Sequence, residues 1–279
     1  MKVQFNHEAV TSFTLWFDNH LINKGEGFSD HETQLYYVED NRLPDGVFRY
    51  SSPYKQWVYG YGVPEVYKSE ILLNKNDSDY GYWIDYENGG IVFFGSSASS
   101  NLNITAKYKV KDFNVYNTNL YEDDLIVEKK FETNSRFNQT LQAISPYNQV
   151  LPAVFINSET IENKGFAFGG QSETTIMFKS VVMAENMYQL DGISSIFADT
   201  HTVHFPLIGF DDHPINEKGD LKDESFSYQS KLAEKSPFFM IDRVVTAKVG
   251  EGVRQQISPS IYLGFLDFEV ISVRFLQQS

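Results

Sequence analysis

Tyr82-Trp83-Ile84-Asp85-Tyr86-Glu87-Asn88-Gly89-Gly90-Ile91-Val92-Phe93-Phe94 is the stretch from which the fold is read. Two runs of aromatic and β-branched residues, which fit a pleated surface, flank Glu87-Asn88-Gly89-Gly90. Asn-Gly supplies the positive φ angles of a tight turn, so the stretch predicts an antiparallel hairpin. After a Ser-rich loop at 95–101, Ile104, Ala106, Tyr108 and Val110 alternate with polar residues, as in a strand with one buried face. Phe113 and Val115 take the opposite parity, and a bulge near Lys111-Asp112 is expected to absorb the slip.

Upstream, Val10, Phe13, Phe17 and Leu21 recur at helical spacing and predict a helix from about Asn6 to Lys24, with Asn6 as N-cap and Gly25 as stop. His20 reads as a helix-surface histidine. Residues 25–69 carry Pro44, Pro53 and Pro64 and the aromatics Tyr50, Tyr54, Trp57, Tyr59 and Tyr61, so an extended arm or irregular sheet margin is expected there.

Downstream, Phe137, Leu141 and Ile144 predict a helix over 134–144 that ends before Pro146. Leu151 to Ile156 and Phe166 to Gly170 read as two short strands. Thr174 to Ala184 reads as a strand covered on each side, because both parities carry apolar residues. Leu190, Ile193 and Phe197 share a face of a helix at 187–198, and His204 to Ile208 returns as a strand. An acidic loop spans 209–236. Strands are expected at 238–249, 253–257 and 261–275, with a turn at Gly250-Glu251-Gly252.

The expected class is therefore α+β. It comprises a β-rich N-terminal domain with its leading helix (1–120), a compact α+β module (121–208), and the acidic loop with C-terminal antiparallel strands packing on that module (209–279).

Composition narrows the function. The 279 residues carry a formal net charge of −14, with 23 Lys and Arg against 37 Asp and Glu, and no basic run. Gripping nucleic acid by its phosphates, or an anionic membrane, needs clustered cations. No apolar stretch approaches the roughly 20 residues of a bilayer span, and the N-terminus lacks a signal-peptide core, so synthesis in a cytoplasm is expected. With no Cys there is no disulfide, thiol nucleophile or thiolate metal site. Aromatics make up 15% of the chain, and ten of the 17 Tyr lie between Tyr36 and Tyr86. That density suits strand packing first, and protein or sugar contacts second.

No constellation of residues demands chemistry. Asp199, His201 and His204, with Asp211, Asp212 and His213, contain metal-binding side-chain types without a zinc-binding spacing, and a surface loop explains them. Glu122-Asp123-Asp124 could supply paired carboxyls for glycoside hydrolysis, but among 37 acids a solvated turn is the simpler reading. Nucleophile-elbow, phosphate-loop and dinucleotide-binding motifs are missing. Three Asn-x-Ser/Thr triplets, at Asn76, Asn103 and Asn138, carry no meaning without secretion. The chain is read as non-enzymatic and without cofactor or metal.

The hairpin at 82–94, followed by 104–116, is similar to a pattern of virion structural proteins of tailed bacteriophages. Leu151-Pro152-Ala153-Val154-Phe155-Ile156, Gly169-Gly170, the strand at 174–184 and the helix at 188–199 follow one another in an order that resembles tail-terminator and neck (head–tail completion) proteins. Regions 1–120 and 209–279 exceed a minimal terminator module. The resemblance implies a structural subunit of a homo-oligomeric ring, sixfold or twelvefold, at the head–tail interface. Its partners would be further copies of itself and other neck, tail or head proteins of the virion, assembled in the host cytoplasm, with DNA passing without tight binding and no membrane involved.

Ring subunits need broad lateral contacts, so Tyr54, Trp57, Tyr59 and Tyr61 are the candidate subunit-contact residues. Asp211, Asp212, Glu122 and Asp123 are the candidate acids facing a lumen or partner ring, where negative charge lets DNA slide. The alternative is a β-rich module of a baseplate or fibre that binds glycans or a host surface, with the same four aromatics stacking on sugars. A hydrolase is the third class, and it lacks a nameable nucleophile or base.

Overall fold

Residues 4–128, 131–132, 149–167, 170–257 and 260–275 are described by the computed structural model. Helix α1 (Phe5–Gly25) leads into strands β1 (Phe28–Val38), β2 (Phe48–Ser51), β3 (Glu65–Lys68), β4 (Ile71–Leu72), β5 (Tyr82–Asp85), β6 (Gly90–Phe93) and β7 (Ile104–Lys111). Next come β8 (Asn114–Asn117), helix α2 (Glu122–Glu128), the two-residue strands β9 (Phe131–Glu132) and β10 (Gln149–Val150), and the long strands β11 (Ala153–Ala167) and β12 (Gln171–Ala184). The chain continues through α3 (Met187–Ala198), β13 (His204–Pro206), a 3-10 turn (Phe210–Asp212), α4 (Tyr228–Glu234), β14 (Pro237–Lys248), α5 (Glu251–Ile257) and β15 (Tyr262–Phe275). The class is α+β and β-rich.

Two sheets organise these elements. The first runs β4-β3-β7-β1-β2-β6-β5, antiparallel throughout. Strand β1 holds it together: residues 28–35 pair with β7, and 36–38 turn to pair with β2. The second runs β13-β14-β15-β12-β11-β8, with only the β8–β11 pair parallel. Their cores are separate, one around Tyr50, Trp57, Ile84 and Ile91, the other around Phe13, Phe178, Phe197 and Phe268.

Helix α1 belongs to the second core, although it precedes the first sheet in sequence. Ala9, Phe13, Trp16, Phe17 and Leu21 form its buried face. Phe13 lies flat on Phe178 of β12, with ring centroids 3.9 Å apart, and Phe17 lies flat on Phe197 of α3 at 4.1 Å. Its N-cap is Gln4, whose backbone N–H donates to His7 Nδ1 at 3.4 Å, and it ends at Glu26 in the left-handed region, so Asn6 and Gly25 sit inside the helix. His20 is half-buried against Trp16 and Phe197, and burial lowers its pKa.

Several expectations change. The segment 25–69 is no margin, since β1 is a central strand of the first sheet and contains none of the three prolines. The parity slip after Val110 is no bulge. There the chain leaves the first sheet: Val110 packs in the first core, Phe113 and Val115 in the second. Of the two short strands expected at 151–156 and 166–170, residues 153–156 and 166–167 belong to one strand, β11. Only the C-terminal half of β12 is buried on both faces; its first half alternates. Residues 251–257 are helical, where a turn and a strand were expected. The helix expected at 134–144 lies outside the described residues. The hairpin at 82–93 forms as read, but Gly89 alone takes positive φ in its turn, and a Cβ there would lie 1.9 Å from the Tyr54 carbonyl.

A buried charge network closes the first sheet around that hairpin. Arg49 of β2, 5% exposed, donates to Asp40 Oδ2 at 2.9 Å and to Asp85 Oδ2 at 2.6 Å. Asp85 also accepts from the Asn88 backbone at 3.0 Å and side chain at 2.9 Å, which fixes the hairpin turn. Removing Arg49 takes the shared guanidinium from two buried carboxylates, leaving Asp40 with Arg42 and Asp85 with Asn88. Arg49→Met is therefore expected to destabilise the protein by about 3–5 kcal/mol, read as a lower urea midpoint. A change within about 0.5 kcal/mol, as at an ordinary surface site, would contradict it.

Candidate functional site

The most distinctive surface is the second sheet. Core-facing residues of β12 and β15 (Ile176, Phe178, Val182, Leu266, Phe268, Val270) lie under α1 and α3. On the opposite face, among the described residues, a smaller cluster of Leu125, Leu151, Phe155, Val181, Met183 and Leu263 covers one end. The rest of that face carries Glu173, Thr175, Met177, Asp267, Glu269, Ile271 and Val273, all exposed or half-exposed. Lys179 reaches Glu159 at 3.1 Å, and partial burial raises the Asp267 carboxyl.

The sheet's flanks are open as well. β8 pairs only with residues 153–156 of β11, and β13 only with residues 237–240 of β14. Among the described residues, no backbone partner meets the outer edges of β11 at 158–163 or β14 at 243–248. Each strand also carries an irregularity, β11 between Ser158 and Thr160 and β14 between Ile241 and Arg243.

The aromatic residues singled out from sequence divide. Trp57 is 1% exposed and stacked on Tyr108 at 4.0 Å, so it packs the first core and offers no face to a partner or sugar. Tyr54 is half-buried against His31 at 4.2 Å. Tyr59 is half-buried, and burial raises its hydroxyl's pKa well above the ordinary value. Tyr61, 37% exposed, is the most accessible of the four; it bonds Asn23 of α1.

The acids divide too. Asp211 is exposed. Asp212 is ion-paired with Lys235, whose hydrogen bond holds its carboxyl below the usual range. Glu122 is half-buried on α2, and the Asp123 side chain lies outside the described residues. The acidic segment from 209 does not pack solely on the module: Ile215 and Leu221 enter the first core. Asp220 is buried and pairs with Lys75 at 2.9 Å, and Gly219 sits where a Cβ would meet Asp85 at 2.3 Å. His201 and His204 are exposed, and no cluster of three or more metal-ligating side chains occurs among the described residues. No described helix is long and apolar enough to cross a membrane.

Sequence reading missed the junction between the sheets. A cavity of about 410 Å³ lies there, lined by α1, the 55–59 segment, the hairpin turn, β8 and His213. Asp18 of α1 pairs with Lys111 at 2.6 Å, both under a tenth exposed. The Gln56 side chain donates to the Val115 carbonyl at 2.6 Å and accepts from its N–H at 2.7 Å, tying the first sheet to β8. Lys55 is 2% exposed. Burial pushes its ammonium down to about 7; Asp85 opposes this, while Arg49 and Arg42 add to it. The readable signal was charge inside apolar runs, at Asp85 and Arg49. Nothing in sequence distinguishes Lys55 from a surface lysine.

Lys55 makes stability pH-dependent. An unfolded lysine titrates near about 10.4, so between about pH 7 and 10 the unfolded chain holds a proton that the folded chain lacks, and stability rises with pH. Lys55→Met removes this component. The variant's urea midpoint relative to the native chain is expected to be higher at about pH 6.5 than at about pH 9.5. A difference that is flat across that range would refute the assignment.

Compared with known proteins, the chain matches no family model and no curated protein.

Proposed function

We propose that the chain is a non-enzymatic structural subunit of a tailed-phage virion, forming a ring at the neck or tail terminus that joins head and tail and passes DNA. One observation carries the reading: a long-stranded sheet covered by helices on one face, with its other face, among the described residues, largely open and acidic and both flanks only partly paired. In a ring, such a face would line the channel. Glu173, Asp267 and Glu269 would then be the acids that keep DNA from sticking, in place of Asp211 and Asp212. The phage assignment itself rests on the resemblance of the hairpin and of the 151–199 element order.

The glycan-binding alternative loses its best anchor with Trp57 buried. Lys55 lines the cavity at the junction of the sheets, where burial pushes its ammonium down to about 7.

The test is electron microscopy and native mass of the concentrated full-length protein, with DNA gel shifts alongside. Closed sixfold or twelvefold particles with an axial channel are expected, and no DNA retardation at low salt. Glu173→Lys with Glu269→Lys should turn the particles into DNA binders whose affinity falls at least about tenfold from roughly 50 to 200 mM salt. Tight, salt-sensitive DNA binding by the unaltered protein would overturn the reading.

A further inference from the structure

We propose that copies of this chain join through the second sheet, the outer edge of β11 at 158–163 in one copy pairing antiparallel with the outer edge of β14 at 243–248 in the next. The inference rests on the ring reading and names its contact.

The two edges match in length, direction and charge. Each offers about six residues whose outer backbone groups have no partner among the described residues, at 158–163 and 243–248. Strand directions alternate from β14 through β15 and β12 to β11. A neighbour related by rotation about a ring axis therefore presents its β14 antiparallel to β11, and the alternation continues across the joint. The β11 edge carries Glu159 and Glu162, and the β14 edge carries Arg243 and Lys248. Glu162 can thus face Arg243, while Glu159 pairs with Lys179 and Lys248 with Asp191 inside each copy. Two copies of the same edge would set like charges together, which disfavours a twofold dimer.

One register satisfies both faces. Setting Glu162 opposite Arg243 puts Ile161 opposite Val244 and Thr160 opposite Val245. Ile161 and Val244 both lie at the margin of the aromatic core, so their contact extends that core across the joint. Within one copy, Ile161 lies level with Ile241 through Ile176 and Val270. Pairing it with Val244 shifts each copy along the strands, and a closed sheet needs such a stagger. Val244 and Val245 on an edge without proline would otherwise invite uncontrolled pairing.

The chain has no cysteine, which permits a clean disulfide test. Thr160→Cys and Val245→Cys are made singly and together in the full-length protein, with folding checked by circular dichroism, and oxidised with copper phenanthroline. Mixed single variants should give a covalent dimer, and the double variant a ladder of multiples. A pair of distant exposed sites, Thr160→Cys with Ser78→Cys, should give neither. In a second arm, Glu162→Arg or Arg243→Glu alone should raise the concentration needed for assembly about tenfold, and the two together in one chain should restore it.

Rings that form without the 160–245 disulfide overturn the pairing and leave the ring reading intact. Disulfide-linked open chains that never close support the pairing and overturn the ring. Failure of any disulfide at millimolar protein, or loss of assembly without rescue by the charge swap, overturns the pairing.

Discussion

The stacking of Phe13 on Phe178, and of Phe17 on Phe197, decides which face of the second sheet is sealed. Burying one large aromatic or aliphatic side chain is worth roughly 1.5–3 kcal/mol, and α1 places Phe13, Trp16, Phe17 and Leu21 in one continuous core. Among the described residues the opposite face has no comparable cover. Its odd-numbered residues on β12 and β15 include Glu173, Lys179, Asp267 and Glu269, and these stay half in water because burying unpaired charge costs more than their apolar neighbours would return. A helix on one side and acids on the other thus give the two faces of the sheet opposite character.

The second constraint is the joint between the sheets. α1 reaches across it through Asp18 to Lys111, and Gln56 fixes Val115 through both of its amide atoms. These contacts are polar and directional, so they set orientation more than they add stability. A buried pair such as Asp18–Lys111 loses most of its attraction to desolvation, but breaking one partner is severe. Lys55 beside the same cavity adds a cost that persists at neutral pH. Such a charge-bearing seam makes mispacking expensive and keeps the two cores distinct.

Much of the secondary structure was legible, because it rests on local periodicity. The hairpin at 82–93 and the helix at 187–198 are fixed by turn residues and by apolar spacing within a dozen positions. What could not be read was long-range. Phe113 and Val115 change parity because they change cores, which looks identical in sequence to a bulge. β1 reads as margin because its outward residues are polar, yet it joins both halves of the first sheet. Trp57 read as a surface aromatic because its proline-rich neighbourhood carries no burial signal. The acids of the open face were hidden by mixed apolar residues at the same parity, Met177 and Ile271.

Charge raises a final question for any assembly of this chain. Each copy carries −14, so copies repel over the screening distance of about 8 Å at physiological ionic strength. Association must therefore be won at short range, where backbone hydrogen bonds and opposed side chains act inside that distance. The second sheet concentrates those means at its two flanks, acidic on β11 and basic on β14, while its remaining acids lie on the open face between them. A repulsive surface with attractive, mismatched edges favours head-to-tail contact over face-to-face stacking. The charge that keeps free copies apart is then the same charge that would line the interior once they meet.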